Sequence, residues 1–249
     1  MSALYISKEF GLCNRLRGLL NAWAIASEKK LHLDILWIPN EDCPYLFTDL
    51  FELLPDTSMI NEDEKDVKNY AFTTDYAGCI EEFCPLSRRK RSFHECKILF
   101  SLLKPVESIR KIIVEFVRQN NITNCAGIQV RRTDHVSYAE ENKCFTPLST
   151  FEQVIEHPEN ADTKVYLACD CAETQDYFKS KYGDKILFYK NIENSSSLRK
   201  TDGIHAVVDL YVLALCRLFF GTFGSSFSKH ILYLQSGLKA QRKMMEMYV

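Results

Sequence analysis

The sequence predicts an α/β protein in two parts, each built on a parallel sheet, and three observations carry that prediction. The opening reads strand, loop, helix, strand, the signature of a βαβ unit. The same rhythm of short apolar runs and helical stretches resumes after residue 105. A chain of 249 residues with 46% hydrophobic content can fill two small cores. The division is placed between 1–104 and 105–249.

In chain order, Leu4-Tyr5-Ile6 is the first strand, and the break at Gly11-Leu12-Cys13-Asn14-Arg15 leads into a helix. Its apolar face carries Leu16, Leu19, Leu20 and Trp23 at three- and four-residue spacing. Asn14 stands where a helix N-cap would, or where free backbone N–H groups would meet an anion. A strand follows over 31–38 and ends at Pro39. Residues 43–100 are the least regular; the acidic run 61–66 and the basic run Arg88-Arg89-Lys90-Arg91 read as solvated loops. After Pro105 an amphipathic helix carries Ile109, Ile112, Ile113, Phe116 and Val117 on one face and ends near Asn120-Asn121.

The second part opens on Cys125-Ala126-Gly127-Ile128-Gln129-Val130, a buried strand that delivers Arg131-Arg132-Thr133-Asp134-His135. Phe145-Thr146-Pro147 supplies an N-cap and a proline at the first helical position for a helix to Glu156. Lys164 to Cys169 is a strand delivering Asp170. A helix over 172–182, a strand over 185–189 and a polar loop with three consecutive serines over 191–202 come next. A nearly all-apolar helix over 203–216, interrupted by Asp209, then leads to a strand over 217–220, and Gly221-Thr222-Phe223-Gly224-Ser225-Ser226-Phe227-Ser228 turns that strand into a last helix.

The totals exclude several classes. A formal net charge of -2 gives no global attraction to nucleic acid or acidic lipid. No apolar run approaches the ~20 residues of a membrane span, and the first strand begins at once. As written, the chain is expected to be a cytoplasmic protein, or a soluble fragment of a secretory-pathway enzyme. The ten cysteines are irregularly spaced, with Cys79 and Cys84 flanking four residues and Cys169 and Cys171 flanking one; without a paired C-x-x-C, structural zinc is not expected. Most read as small buried thiols in a reducing compartment. The absence of a D-x-D pair, a Gly-Lys-Ser/Thr loop and a G-x-S-x-G elbow counts against manganese-dependent glycosyl transfer, kinases and serine hydrolases.

Three strand ends in the second part thus finish in polar groups: Arg131 with Arg132 and Asp134, Asp170, and the Gly/Ser turn. Arginine at a strand end suits a diphosphate, because its planar fork binds phosphate oxygens two at a time. The alternative is one surface arginine and one paired with Asp134. The Gly224-Ser225-Ser226 turn offers N–H and O–H donors, or simply caps the helix. Asp170 either accepts from adjacent N–H donors on the edge of a base such as guanine or caps the following helix. Asp209, inside an apolar helix, needs an arginine or backbone donors as its partner.

Taken together, Gly11-x-x-Asn14-Arg15-Leu16-Arg17, Val130 to Asp134, Val165 to Asp170, and Asp209 followed by Gly221 to Phe227 resemble the ordered motifs of the fucosyltransferase superfamily of α1,6-, α1,2- and protein O-fucosyltransferases. The resemblance implies a GT-B-type fold, two Rossmann-like halves whose parallel sheets face across a cleft, the N-terminal half on the acceptor side and the C-terminal half on the nucleotide-sugar side. It implies inverting transfer from GDP-fucose to a glycan or glycoprotein hydroxyl, without a metal or other cofactor. Carried over by position, Arg131 contacts the β-phosphate and Asp170 the guanine. Ser225 and Ser226, with Phe227 beside them, hold phosphate or ribose, and Asn14 and Arg15 lie near the fucose and phosphates. Gln129 stands where α1,6 members have His and is expected to reach a base or ribose. Arg132, Asp134 and Asp209 are expected to organise the site from behind, Arg132 turned back to Asp134 or Asp209. Glu140 is the candidate general base and His135 the fallback. A nucleotide-sugar-binding pseudoenzyme and a transferase using another activated donor are the alternatives.

Overall fold

The structure, a computed structural model, describes residues 1–66, 68–75, 91–133, 135–192 and 202–245, without the side chains of Tyr138 and of 236–245. The chain divides into two compact units, Met1–Val106 and Glu107–Val249.

In the first unit, β1 (Ser2–Ser7), α1 (Leu12–Glu28) and β2 (His32–Trp37) form the βαβ unit read from the sequence. β1 and β2 run parallel, in register from Ser2↔His32 to Ser7↔Trp37. Leu16, Leu19 and Leu20 are buried along α1, and partly buried Trp23 donates its indole N–H to the Pro55 carbonyl at 2.8 Å. The irregular stretch contains α2 (Phe47–Leu50), β3 (Thr57–Met59), β4 (Thr73–Asp75) and α3 (Phe93–Ser101). The sheet order is β3-β2-β1-β4, all parallel. Strands of three residues are too short to show a periodicity, so this part of the sheet had no readable signal. α3 did have one: Ser92 and Glu95 form a capping box, the Ser92 hydroxyl accepting from the Glu95 N–H and the Glu95 carboxylate from the Ser92 N–H. Asp34 is fully buried in β2, where Ser58 Oγ (2.6 Å) and Lys68 Nζ (3.0 Å) satisfy it.

The basic run is corrected in part. Arg88, Arg89 and Lys90 lie outside the described residues, but Arg91 is buried, donating to Asn21 Oδ1 at 3.0 Å and Glu28 Oε1 at 3.2 Å. It ties the approach to α3 onto α1.

The second unit is a sheet of order β7-β6-β5-β8, again all parallel. β5 (Ala126–Val130) and β6 (Val165–Cys169) are buried at every residue, which is why they read as unbroken apolar runs. β7 (Ile186–Leu187) and β8 (Leu218–Gly221) flank them. The helices are α4 (Glu107–Gln119), α5 (His135–Glu141), α6 (Leu148–Glu156), α7 (Ala172–Tyr182), α8 (Gly203–Leu215) and α9 (Ser226–Met245). Ile128, Val130, Phe151, Ile155, Leu167 and Phe178 form the heart of the core, each burial worth about 1.5–3 kcal/mol.

Several local expectations change. The strand over 185–189 shrinks to two residues, and Tyr189, beyond it, sets its ring edge-on against Phe116 and His205. Pro147 is itself the N-cap of α6, not its first helical residue, and the Thr146 hydroxyl accepts from the Phe223 N–H instead. α5 had no counterpart in the sequence reading. The three serines of 195–197 lie outside the described residues. The described cysteines are free thiols, all buried but Cys144 and Cys171. No helix among the described residues is long and apolar enough to cross a membrane.

Gly221 ends β8 with α9 close against it: a Cβ there would collide with Cβ and Oγ of Ser228. Gly221→Ala should therefore force α9 off the sheet and cost about 1–3 kcal/mol, the usual range for overpacking. Denaturant unfolding of the variant measures it, and an unchanged midpoint would show that α9 can shift freely.

Candidate functional site

In the second unit the strand order turns back on itself between β5 and β8. Ligands of open α/β sheets collect beyond the carboxyl ends of the strands at such a point, and here those ends carry Arg131 and the Thr222 to Ser226 turn. Gly224 occupies the left-handed region (φ 75°) that lets the turn double back into α9.

The two loops are locked together. Thr222 Oγ1 donates to the Gln129 carbonyl at 3.0 Å and accepts the Arg131 N–H at 2.9 Å. His135 Nε2 lies 3.0 Å from the Phe223 carbonyl. Since a carbonyl only accepts, this nitrogen carries the proton. Ser228 Oγ donates to Gln129 Oε1 at 2.5 Å, both side chains buried. Ser225, just before α9, accepts the Ser228 N–H at 3.4 Å in the manner of an N-cap. Ser226, the first residue of α9, and Phe227 are partly buried.

Asp170, at the end of β6, reaches across to the β5–α5 loop. Its Oδ1 accepts the Arg132 N–H at 2.7 Å, and its Oδ2 accepts from Thr133 Oγ1 at 2.7 Å and the Thr133 N–H at 3.2 Å. Arg131 Nη1 stands 3.9 Å from Oδ2, with its side chain one-fifth exposed. The capping alternative for Asp170 does not hold. The N-cap of α7 is Cys171, with no side-chain cap.

Arg132 follows Arg131 into the loop. Its guanidinium lies 4.9 Å over the Phe145 ring, and burial lowers its pKa. Asp134 lies outside the described residues. Asp209 takes other partners: its Oδ1 accepts from the Tyr166 hydroxyl at 2.5 Å, and His205 Nε2 is 3.5 Å from Oδ2. The expected arginine or backbone donors are replaced by a phenol from β6, which projects from the sheet straight under α8. Burial is the main cause that pushes the Asp209 carboxyl up to about 6, against the pull of His205 and Tyr166. Glu140 is exposed near the end of α5, whereas His135 is buried and engaged.

The first-unit residues are of a different kind. Asn14 lies inside α1, whose N-cap is Gly11 without a side-chain bond, so the capping alternative for Asn14 does not hold either; its Oδ1 accepts from Arg17 at 3.4 Å. Arg15 is fully buried. It donates to the carbonyls of Phe10 (2.8 Å), Ser7 (3.2 Å) and Ile38 (2.7 Å) and lies 5.2 Å from the centre of the Trp37 ring. It therefore braces the ends of β1 and β2 from within. Sequence reasoning missed that brace, and the roles of Thr222, Ser228 and Thr133; a threonine directly after the glycine of the β8–α9 turn was the available signal.

No protein-family model matches the chain, and no curated protein matches it. Solved structures do. A NodZ alpha-1,6-fucosyltransferase soaked with GDP-fucose aligns over 94% of this chain and 93% of its own, at 17% identity and a TM-score of 0.63. Fucosyltransferase NodZ from Bradyrhizobium, as the selenomethionine protein, aligns over 93% and 92% at 16% identity and a TM-score of 0.64. POFUT1 in complex with GDP-fucose aligns over 94% and 93% at 11% identity and a TM-score of 0.62. The chain thus has the fucosyltransferase-like, GT-B-type fold, two α/β units with a four-stranded parallel sheet in each.

Because the folded carboxyl of Asp209 titrates above its ordinary value of 3.8, its contribution to stability is complete below that value and is lost as the pH rises through about 6. Asp209→Asn should gain on the wild type between pH 4 and 7 by on the order of 3 kcal/mol. Unfolding both proteins across that range measures the difference; a constant gap would refute the assignment.

Proposed function

We propose that this protein is a glycosyltransferase that moves fucose from GDP-fucose to a hydroxyl of a glycan or protein acceptor, with inversion and without a metal. The observation that carries the reading is the pairing, at the β5–β8 switch point, of Arg131 with the donor-rich turn into α9. The fold supports it, because structures sharing that fold are of fucosyltransferases soaked or complexed with GDP-fucose. A diphosphate leaving group needs positive charge and several N–H donors, and a helix start beside an arginine supplies both.

In the reaction, the acceptor oxygen forms a bond to the anomeric carbon of fucose as the bond from that carbon to the β-phosphate oxygen breaks. Negative charge grows on the departing GDP, where Arg131 and the N–H groups at the start of α9 stabilise it. Arginine and the helix dipole take the part a metal plays elsewhere. The acceptor proton passes to a carboxylate, for which Glu140 is the candidate. Ser226 meets phosphate or ribose. Gln129 and Ser225 act behind the contact surface, holding the β8–α9 turn in shape.

Thermal unfolding with GDP, UDP and ADP tests the donor class. GDP at a hundred times its dissociation constant should add about 2.7 kcal/mol, and UDP and ADP much less at equal concentration. Equal stabilisation by all three would overturn the reading. Arg131→Ala should lower transfer from GDP-fucose about 10²–10³-fold, the usual loss for one donor on a developing negative charge. GDP binding with no detectable transfer or hydrolysis in the wild type would identify a binding protein.

A further inference from the structure

We infer that Asp170 is a positioning residue for Arg131 and not a reader of the nucleobase; this rests on the diphosphate role proposed for Arg131. To read the edge of a guanine, a carboxylate must present both oxygens, in plane, to two adjacent N–H donors. Asp170 presents both oxygens to its own chain. One holds the Arg132 N–H, and the other holds the Thr133 N–H and hydroxyl. With the group 7% exposed, the in-plane lone pairs a base would need are turned into the β5–α5 loop.

These bonds fix the part of the loop that aims Arg131. β5 ends at Val130, so from Arg131 onward no strand pairing sets the backbone. The Arg131 N–H is held by Thr222 on the β8 side, and the next two N–H groups are held by Asp170 on the β6 side. The backbone bearing Arg131 is thus pinned from both neighbours of the central strand. Oδ2 also lies 3.9 Å from the Arg131 guanidinium, which biases that side chain toward one orientation. Losing the carboxylate would leave two backbone N–H groups without their partner and loosen the aim of Arg131. A diphosphate would notice that, whatever base it carries.

The test compares GDP with IDP, which keeps the diphosphate and lacks the 2-amino group of guanine. Binding of each to wild type, Asp170→Asn and Thr133→Val is measured by calorimetry, and backbone amide exchange at Arg132 and Thr133 is measured without nucleotide. Asp170→Asn should weaken GDP and IDP by the same factor, roughly 10- to 100-fold, and keep the wild-type GDP-to-IDP ratio. Thr133→Val, which removes one bond and leaves the carboxylate, should weaken both by a smaller equal factor and stands in if Asp170→Asn fails to fold. Amide exchange at Thr133, whose N–H and hydroxyl share the oxygen that becomes an NH2 group, should accelerate in Asp170→Asn. A GDP-to-IDP ratio that collapses toward one in Asp170→Asn would make Asp170 a base reader and overturn the inference. Unchanged binding of both nucleotides would overturn it too. If the wild type binds neither nucleotide, the GDP-sugar reading fails by itself, and unchanged amide exchange in Asp170→Asn would then separately refute the clasp.

Discussion

Where parallel strands end, their outermost N–H and C=O groups lose their ladder partners, and in this fold the consequence falls on the backbone that carries Arg131. Thr222 resolves it with one hydroxyl, donating to the Gln129 carbonyl and accepting the Arg131 N–H. The β5–β8 pairing is thereby prolonged past its last strand residues. A valine there would fill the same volume and offer the Arg131 N–H no acceptor. Much of the remaining geometry depends on this junction. The Gly221 contact that seats α9, the Gln129–Ser228 bond beneath it and the His135 bond to the Phe223 carbonyl all presuppose that β5 and β8 stay in step to their ends.

The candidate site was legible in the sequence to the extent that it depends on chain order. β5 and β6 are apolar throughout, so their ends were visible, and Arg131 and Asp170 follow them directly. The partners of those residues were not visible. That Asp170 meets Arg132 and Thr133 depends on the side-by-side register of β5 and β6, Val130 opposite Cys169, and one strand's sequence does not encode its alignment with another. Asp209 shows the same limit. A buried carboxylate announces a need for donors, but only the sheet reveals that Tyr166 supplies one.

Charge was the least readable property. Arginine is rarely fully buried; the family resemblance sets Arg15 near the fucose and phosphates and the basic run reads Arg91 as part of a solvated loop, yet both turn inward onto the chain's own oxygens. The short strands β3 and β4 failed for a different reason: three residues carry too little pattern to stand out from a loop. The longer elements, α1, α4, α7 and α8, were clear because each spans three or more turns.

The interior brace at Arg15 has a bearing on how variants of this protein would be interpreted. Its guanidinium joins carbonyls from Ser7, Phe10 and Ile38, three separate points of the first unit, and lysine, with a compact ammonium in place of a fork, cannot span them. A survey scored only on product formed would return Arg15 and Arg131 as equally intolerant positions. A parallel measure of how much intact protein accumulates in cells would divide them, the first failing through abundance and the second, in the role proposed for Arg131, through turnover.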